Sequence, residues 1–171
     1  MVPEWRGRRS ALMAPDIRTY RADQGDIGDV AVMVGELLGE IMQATATAAF
    51  NFSLAQTTAN LAEFIRRGQY LAFVARGVDA DPVGFITLCE SHALYAEGVF
   101  GIVPELYVRP PFRCHDVGRR LLDEAKAYAR ARGWRRLEVT TPPLPQFDRT
   151  LAFYEREGFT IAGGRKLKAM L

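Results

Sequence analysis

The 171-residue chain has only two cysteines, Cys89 and Cys114, and only two histidines, His92 and His115. Two thiols build no disulfide framework, and the four side chains fall at no spacing that a zinc ion requires, so no metal is expected. Reduced thiols point to a cytoplasmic protein. Long apolar runs are also missing: nothing approaches the roughly 20 residues of a membrane helix, which argues against a membrane-embedded chain. Arg8-Arg9 precede only Ala11–Ala14 before Pro15, too short a stretch for an export signal, so residues 1–15 read as a disordered tail. An excess of one charge is lacking too, with 22 Lys and Arg against 20 Asp and Glu. Arg6, Arg8 and Arg9 against Glu4 account for the whole net charge of +2, which leaves the remainder neutral. A neutral body is a poor electrostatic trap for nucleic acid.

What is present is ordinary globular composition, 49% hydrophobic and 25% charged. Residues 16–171 read as one α/β domain with no repeat or linker. A short strand is expected around Asp16–Tyr20, then a helix opened by Asp26 or Asp29 with Val30, Val34, Leu37, Leu38 and Ile41 on one face. Residues 43–52 carry no clean period and read as a loop or broken helix. Ser53 caps a second helix that Gly68 stops. Tyr70–Ala75 and Val83–Cys89 read as a hairpin, followed by a polar link over 91–98 and a long apolar strand, Val99–Val108, that Pro104 must interrupt. Then come a helix through Leu121–Ala129, a strand at Leu137–Thr140 broken off by Pro142, a short helix through Tyr154, and closing strands at Phe159–Ile161 and Lys166–Leu171 around a Gly163-Gly164 turn.

The informative stretch runs from Glu105 to Leu122. A strand ends near Val108, turns through Pro110-Pro111, and a loop delivers the chain into a helix whose first turn lies near Gly118. The free N–H groups and dipole of such a helix start suit a phosphate or pyrophosphate, with Arg113 and Arg119 flanking it. A solvated basic loop is the plainer alternative for the same residues. Cys114-His115 lacks the third partner a nucleophile–base pair needs.

The segment Tyr107-Val108 followed by Arg113-Cys114-His115-Asp116-Val117-Gly118 and Leu121-Leu122 resembles the acetyl-CoA signature of the GNAT superfamily of N-acetyltransferases. Ala152-Phe153-Tyr154-Glu155-Arg156-Glu157-Gly158-Phe159 resembles the same family's second signature. The resemblance covers roughly 16–171. It implies a GNAT-like fold: a central, mostly antiparallel sheet of six to seven strands, about four helices, and a splay between the fourth and fifth strands. It also implies acetyl-CoA as co-substrate and an amine acceptor. Main-chain amides of Arg113, Cys114, His115, Asp116, Val117, Gly118 and Arg119 would hold the pyrophosphate, with Tyr107 and Val108 beside the pantetheine arm. Asp116 stands where the family usually has glycine; its carboxylate must point away or pair with an arginine. Phe147 stands where an asparagine often precedes the family's tyrosine.

Transfer to an amine needs a base, because a free alkylamine with pKa near ~10 arrives protonated, and the departing thiolate benefits from an acid. The resemblance assigns the acid role to Tyr154, whose alternative is packing under the last helix. Glu105, on an otherwise apolar strand, is the base candidate, against a salt bridge to Arg109 or Arg136; Glu90 and Glu138 stand in reserve. The resemblance implies direct attack on the thioester, without acylation of Cys114. Phe50, Phe52, Tyr95, Phe100 and Phe147 suggest an apolar acceptor pocket built from the first two helices and the loops near 43–52, 91–98 and 142–146. Transfer to a protein N-terminus or aminoacyl-tRNA, and a non-catalytic acyl-CoA-binding module, remain alternatives. The oligomeric state stays open, a homodimer included.

Overall fold

The structure, a computed structural model, describes residues 16–162 and 166–169. Strand β1 (Arg18–Arg21) leads through a 3-10 turn into α1 (Ile27–Thr45), α2 (Leu54–Arg66), β2 (Tyr70–Arg76) and β3 (Pro82–Ala93). There follow β4 (Gly98–Val103), β5 (Leu106–Val108), α3 (Val117–Ala131), β6 (Leu137–Val139) and α4 (Asp148–Arg156). Among the described residues the sheet has six strands in the order β1-β2-β3-β4-β6, with β5 also on β3. All pairs are antiparallel except β4 with β6.

Alternation along the central strands explains why both faces are buried. Leu71 and Phe73 of β2, with Ile86 and Leu88 of β3, pack on Val117, Leu121, Leu122 and Ala125 of α3 and on Tyr154 of α4. Val74, Phe85 and Tyr107 point the other way, onto Ile27, Val30 and Met33 of α1 and Leu61 of α2. Gly101 is needed where β4 meets β6: an added Cβ would come within 2.4 Å of the Trp134 ring.

Several expectations shift. The first helix runs on to Thr45, into part of the expected loop. The polar link at 91–98 shrinks to a short turn, because Cys89–Ala93 pairs in register with Gly98–Ile102. The strand Val99–Val108 is divided at Pro104, as its missing N–H demands, into β4 and β5. Phe159–Ile161 is not a strand: the Phe159 amide caps α4 by donating to the Tyr154 carbonyl (3.0 Å), and its ring stacks edge-on against Tyr154. Lys166–Ala169 is not a strand either. The tail 1–15, the Gly163-Gly164 turn and the last two residues lie outside the described residues.

The splay is visible in the pairing. β6 runs beside β4 from Gly101↔Leu137 to Val103↔Val139, while β5, past Pro104, pairs only with β3. The Arg109 amide donates to Val83 and the Thr87 amide to Glu105, so Tyr107 exchanges its bonds with Phe85. The main-chain groups of Leu106 and Val108 therefore face away from β3, into the gap beside β6.

A buried ion cluster pins the first helix to the sheet edge. The Arg76 guanidinium donates to Asp26 (2.7 Å), Asp29 (2.6 Å) and Tyr20 Oη (2.7 Å). Asp26, 4% exposed, also accepts from the Tyr20 hydroxyl and the Asp23 amide. Burial works against the Asp26 carboxylate, but those donors outweigh it and hold its pKa below the usual value. A depressed carboxylate stabilises the fold above its unfolded pKa of about 4 and loses that contribution as pH falls through the native value. Asp26→Ala is expected to cost about 3 kcal/mol by leaving Arg76 without its most buried partner. Thermal melts from pH 7 to pH 3 should show a lower Tm for the variant at neutral pH and convergence with the native protein in acid; equal melting at pH 7 would refute the role.

Candidate active site

After β5 the chain makes a 3-10 turn over Pro110–Phe112, where Phe112 and Arg113 donate their amides to Arg109 and Pro110. Cys114 (φ 63°) and Asp116 (φ 61°) then adopt left-handed backbone on either side of His115. Such alternation turns successive N–H groups toward one side, a concavity suited to an anion. The first bond of α3 is donated by Arg120 to the Asp116 carbonyl. Between these points the amides of Cys114, His115, Asp116, Val117, Gly118 and Arg119 have no intramolecular partner among the described residues. They sit at the positive end of a 15-residue helix. Of the loop amides expected to be free, only that of Arg113 is engaged.

Asp116 occupies the N-cap position but makes no capping bond, which is why the amides stay open. Aspartate tolerates left-handed backbone better than most residues. Its carboxylate is 67% exposed, bonds to none of the loop amides and pairs loosely with Arg119 (3.4 Å). The arginines divide. Arg119 is held only by Asp116 and, at 3.6 Å, Asp123. Arg113 folds back: it grips Glu40 of α1 with two bonds (2.8 and 2.7 Å), donates from Nε to the Val108 carbonyl (2.8 Å) and stacks over Tyr107. Arg109 binds Glu36, one turn earlier on α1, in the same forked way. Two parallel clamps thus hold α1 against the loop. His115 is exposed, its Nδ1 on the Arg113 carbonyl, and Cys114 is an exposed free thiol.

On the opposite face lies Glu105, immediately before β5. Its amide donates to Thr87 Oγ1 (3.1 Å), and the Thr87 hydroxyl returns a bond to Glu105 Oε2, which also accepts from the Tyr70 hydroxyl (3.3 Å). Oε1 has no protein partner and is not sealed from solvent. The salt-bridge alternative fails because Arg109 is committed to Glu36 and Arg136 to Glu138. Burial without a cation raises the Glu105 pKa, with Thr87 and Tyr70 offsetting part of the rise. Glu90, bonded to Trp134 Nε1 and Arg132, is pushed the opposite way by those donors, as a poor base would be.

Glu105 forms one wall of a cavity of about 160 Å³. The remaining walls come from Val30 and Val34 of α1, from α2 between Thr57 and Phe64, and from Tyr70 and Thr87. The aromatic residues expected there are elsewhere: Phe50 and Phe52 are exposed, and Arg136 lies over the rings of exposed Tyr95 and buried Phe100. Phe147 precedes α4 as its N-cap residue, without a capping bond. Sequence reasoning missed Thr87 and Tyr70. The available signal was a lone hydroxyl, Thr87, inside the apolar run Val83–Leu88.

Tyr154 belongs to the α3 face. It is 5% exposed, packed edge-on against Phe153 and Phe159 (both 5.3 Å), and burial pushes its phenol well above the ordinary value. Its hydroxyl has no partner among the described residues. Glu105 and Tyr154 therefore approach the sheet from opposite faces. A larger groove, about 800 Å³ between α3, α4 and β6, includes Tyr154 but shares no residue with Glu105 or the 114–119 turn. Among the described residues no three His, Cys, Asp or Glu side chains converge on a metal position.

Comparison with known proteins agrees with this geometry. A family model for the acetyltransferase (GNAT) domain matches residues 68–161. An IAA acetyltransferase of Azospirillum brasilense is 35% identical over 80 residues, 47% of this chain and 51% of that protein, so the match spans about half the length of that curated relative. Among solved structures, a Trypanosoma brucei acetyltransferase superposes with a TM-score of 0.67 at 22% identity, covering 91% of this chain and all of that one (100%). A predicted acetyltransferase from Clostridium acetobutylicum, solved with acetyl-CoA, gives 0.72 at 13% identity over 89% of this chain and 96% of its own. The domain match takes in β2 to α4, strands and open-amide turn together, and the chain accordingly belongs to the GNAT acetyltransferase family.

Proposed function

We propose that this enzyme transfers the acetyl group of acetyl-CoA directly to a primary amine of a small molecule or peptide, through a domain spanning 16–171 in the cytoplasm. One observation carries the reading. The unengaged amides of Cys114–Arg119 and the carboxylate of Glu105, which has no cation partner, flank the same three-residue strand, β5, whose outer edge pairs with no strand among the described residues.

The pyrophosphate rests on those amides, contributed by Cys114, His115, Asp116, Val117, Gly118 and Arg119, while Arg113 fastens the loop to α1. The pantetheine arm lies beside Tyr107 and Val108 and pairs with the outward main-chain groups of Leu106 and with the Val108 amide, the Val108 carbonyl already accepting from Arg113 Nε. The amine enters from the α1–α2 face and gives its ammonium proton to Glu105. The neutral nitrogen attacks the thioester carbonyl; the C–N bond forms and the C–S bond breaks. Tyr154 donates a hydrogen bond to the departing sulfur. Because burial disfavours its phenolate, the proton that sulfur finally keeps comes from the nitrogen, relayed through that hydroxyl.

Transfer to an aminoacyl-tRNA is less well supported. The basic stretch from Arg113 to Arg136 is largely neutralised, with Arg132 on Glu90, Arg135 on Glu97, Arg136 on Glu138 and Lys126 on Glu157. A module that only binds acyl-CoA has no use for a half-buried carboxylate held by two hydroxyls and left without a cation. Calorimetry with acetyl-CoA followed by thiol release over an amine panel separates these readings: binding without turnover would favour the module, and absence of binding would remove all of them.

Three variants probe the roles. Tyr154→Phe keeps the ring packing and should lower kcat about 10- to 100-fold while leaving the calorimetric Kd for acetyl-CoA unchanged. Asp116→Gly removes a carboxylate near the pyrophosphate seat and relieves left-handed strain, so the Kd should fall about fivefold; a looser complex would contradict the assigned loop. For Glu105 the sign of the pH effect is opposite to that of Asp26. A raised native pKa means that activity rises, and stability falls, as pH climbs from the unfolded value through the native one. Glu105→Gln should therefore cut kcat/KM about 100-fold, remove the acid limb of its pH profile, and melt no lower than the native protein at pH 7.

A further inference from the structure

The cavity beside Glu105 is small, singly charged and mostly apolar, and these properties together select an acceptor. Resting on the proposed acetyl transfer, we infer that the acceptor is a compact monoamine with an uncharged, apolar body about the size of a six-membered carbon ring. The volume is the first argument. About 160 Å³ is close to the roughly 150 Å³ of an apolar protein cavity that accommodates benzene. Val30 and Leu61 supply aliphatic walls, and Phe64 and Tyr70, whose rings pack on each other 5.7 Å apart, supply aromatic ones.

The charges are the second argument. Glu105 is the only ionised group on the walls. A single ammonium is matched by Oε1, while Oε2 is held by Thr87 and Tyr70, which makes those two residues positioning groups for the carboxylate. A second ammonium, as in a polyamine or an aminoglycoside, finds no second carboxylate, because Glu36 and Glu40 on the same helix are already clamped by Arg109 and Arg113. An acceptor carboxylate fares worse: the walls carry no Lys or Arg, and it would lie beside Glu105. That excludes free amino acids. A peptide would press its amides against apolar walls with room for about one side chain. The polar groups besides Glu105 and its two partners are Thr57 and Asn60 of α2, and Asn60 Oδ1 already accepts from Gln56, so the body itself is expected to be weakly polar at most.

The test measures thiol release from acetyl-CoA by the full chain with benzylamine, isopentylamine, spermidine, glycine and a neutral tripeptide amine. The expected result is a kcat/KM for benzylamine or isopentylamine at least about 100-fold above the other three, in line with what an unmatched charge in an apolar site costs. Leu61→Trp fills the cavity and should raise KM for benzylamine at least about tenfold, with the calorimetric Kd for acetyl-CoA unchanged. Phe64→Ala, at the 40%-exposed rim, does the same job should Leu61→Trp fail to fold; it should raise the same KM without moving the Kd. Preference for spermidine, glycine or the tripeptide would overturn the inference while leaving amine acetylation intact. Thiol release from none of the amines would overturn both, as would insensitivity of KM to both variants overturn the assigned cavity.

Discussion

Pro104 has no amide hydrogen, and the site is organised around that lack. A strand that began at Gly98 cannot continue its ladder past Val103, so pairing with β6 ends there and the sheet opens. The same interruption resets the chain: Glu105 couples to Thr87, and β5 resumes on β3 with Tyr107 inward and the main chain of Leu106 and Val108 outward. One residue thus produces the gap, aims the carboxylate and presents a free strand edge between them.

Opposite electrostatics on the two sides of β5 give the opening a direction. Beyond its end, unengaged amides and the helix dipole present a positive potential suited to an anion. Before its start, a half-buried carboxylate without a cation presents a negative one. The two fields remain separate because the intervening arginines are committed: Arg109 and Arg113 are each gripped by a glutamate of α1, one turn apart. Had either been free to reach Glu105, the carboxylate would be neutralised and of no use as a base.

Much of this was legible beforehand, for local reasons. The Ser53 cap, the Gly68 and Gly133 stops and the Pro104 break depend on residues within a few positions of one another and appear where expected, whereas Phe147 takes the N-cap position of α4. Long-range partners were not legible. Nothing near Arg113 in sequence indicates Glu40, 73 residues away, and nothing near Glu105 indicates Thr87 or Tyr70. The pocket aromatics were misassigned for the same reason: Phe50, Phe52 and Tyr95 are apolar in type, but the packing of α1 on α2 turned other residues toward the cavity.

The order of residues alone determined most of the elements, the broken strand and a helix start with open amides, because dihedral preference and missing donors act over a few residues; it did not determine the fate of Phe159–Ile161 and Lys166–Ala169, which form no strand. Tertiary structure decided which charges survive unpaired, since a carboxylate is quenched or left reactive by whatever folding brings within about 4 Å of it.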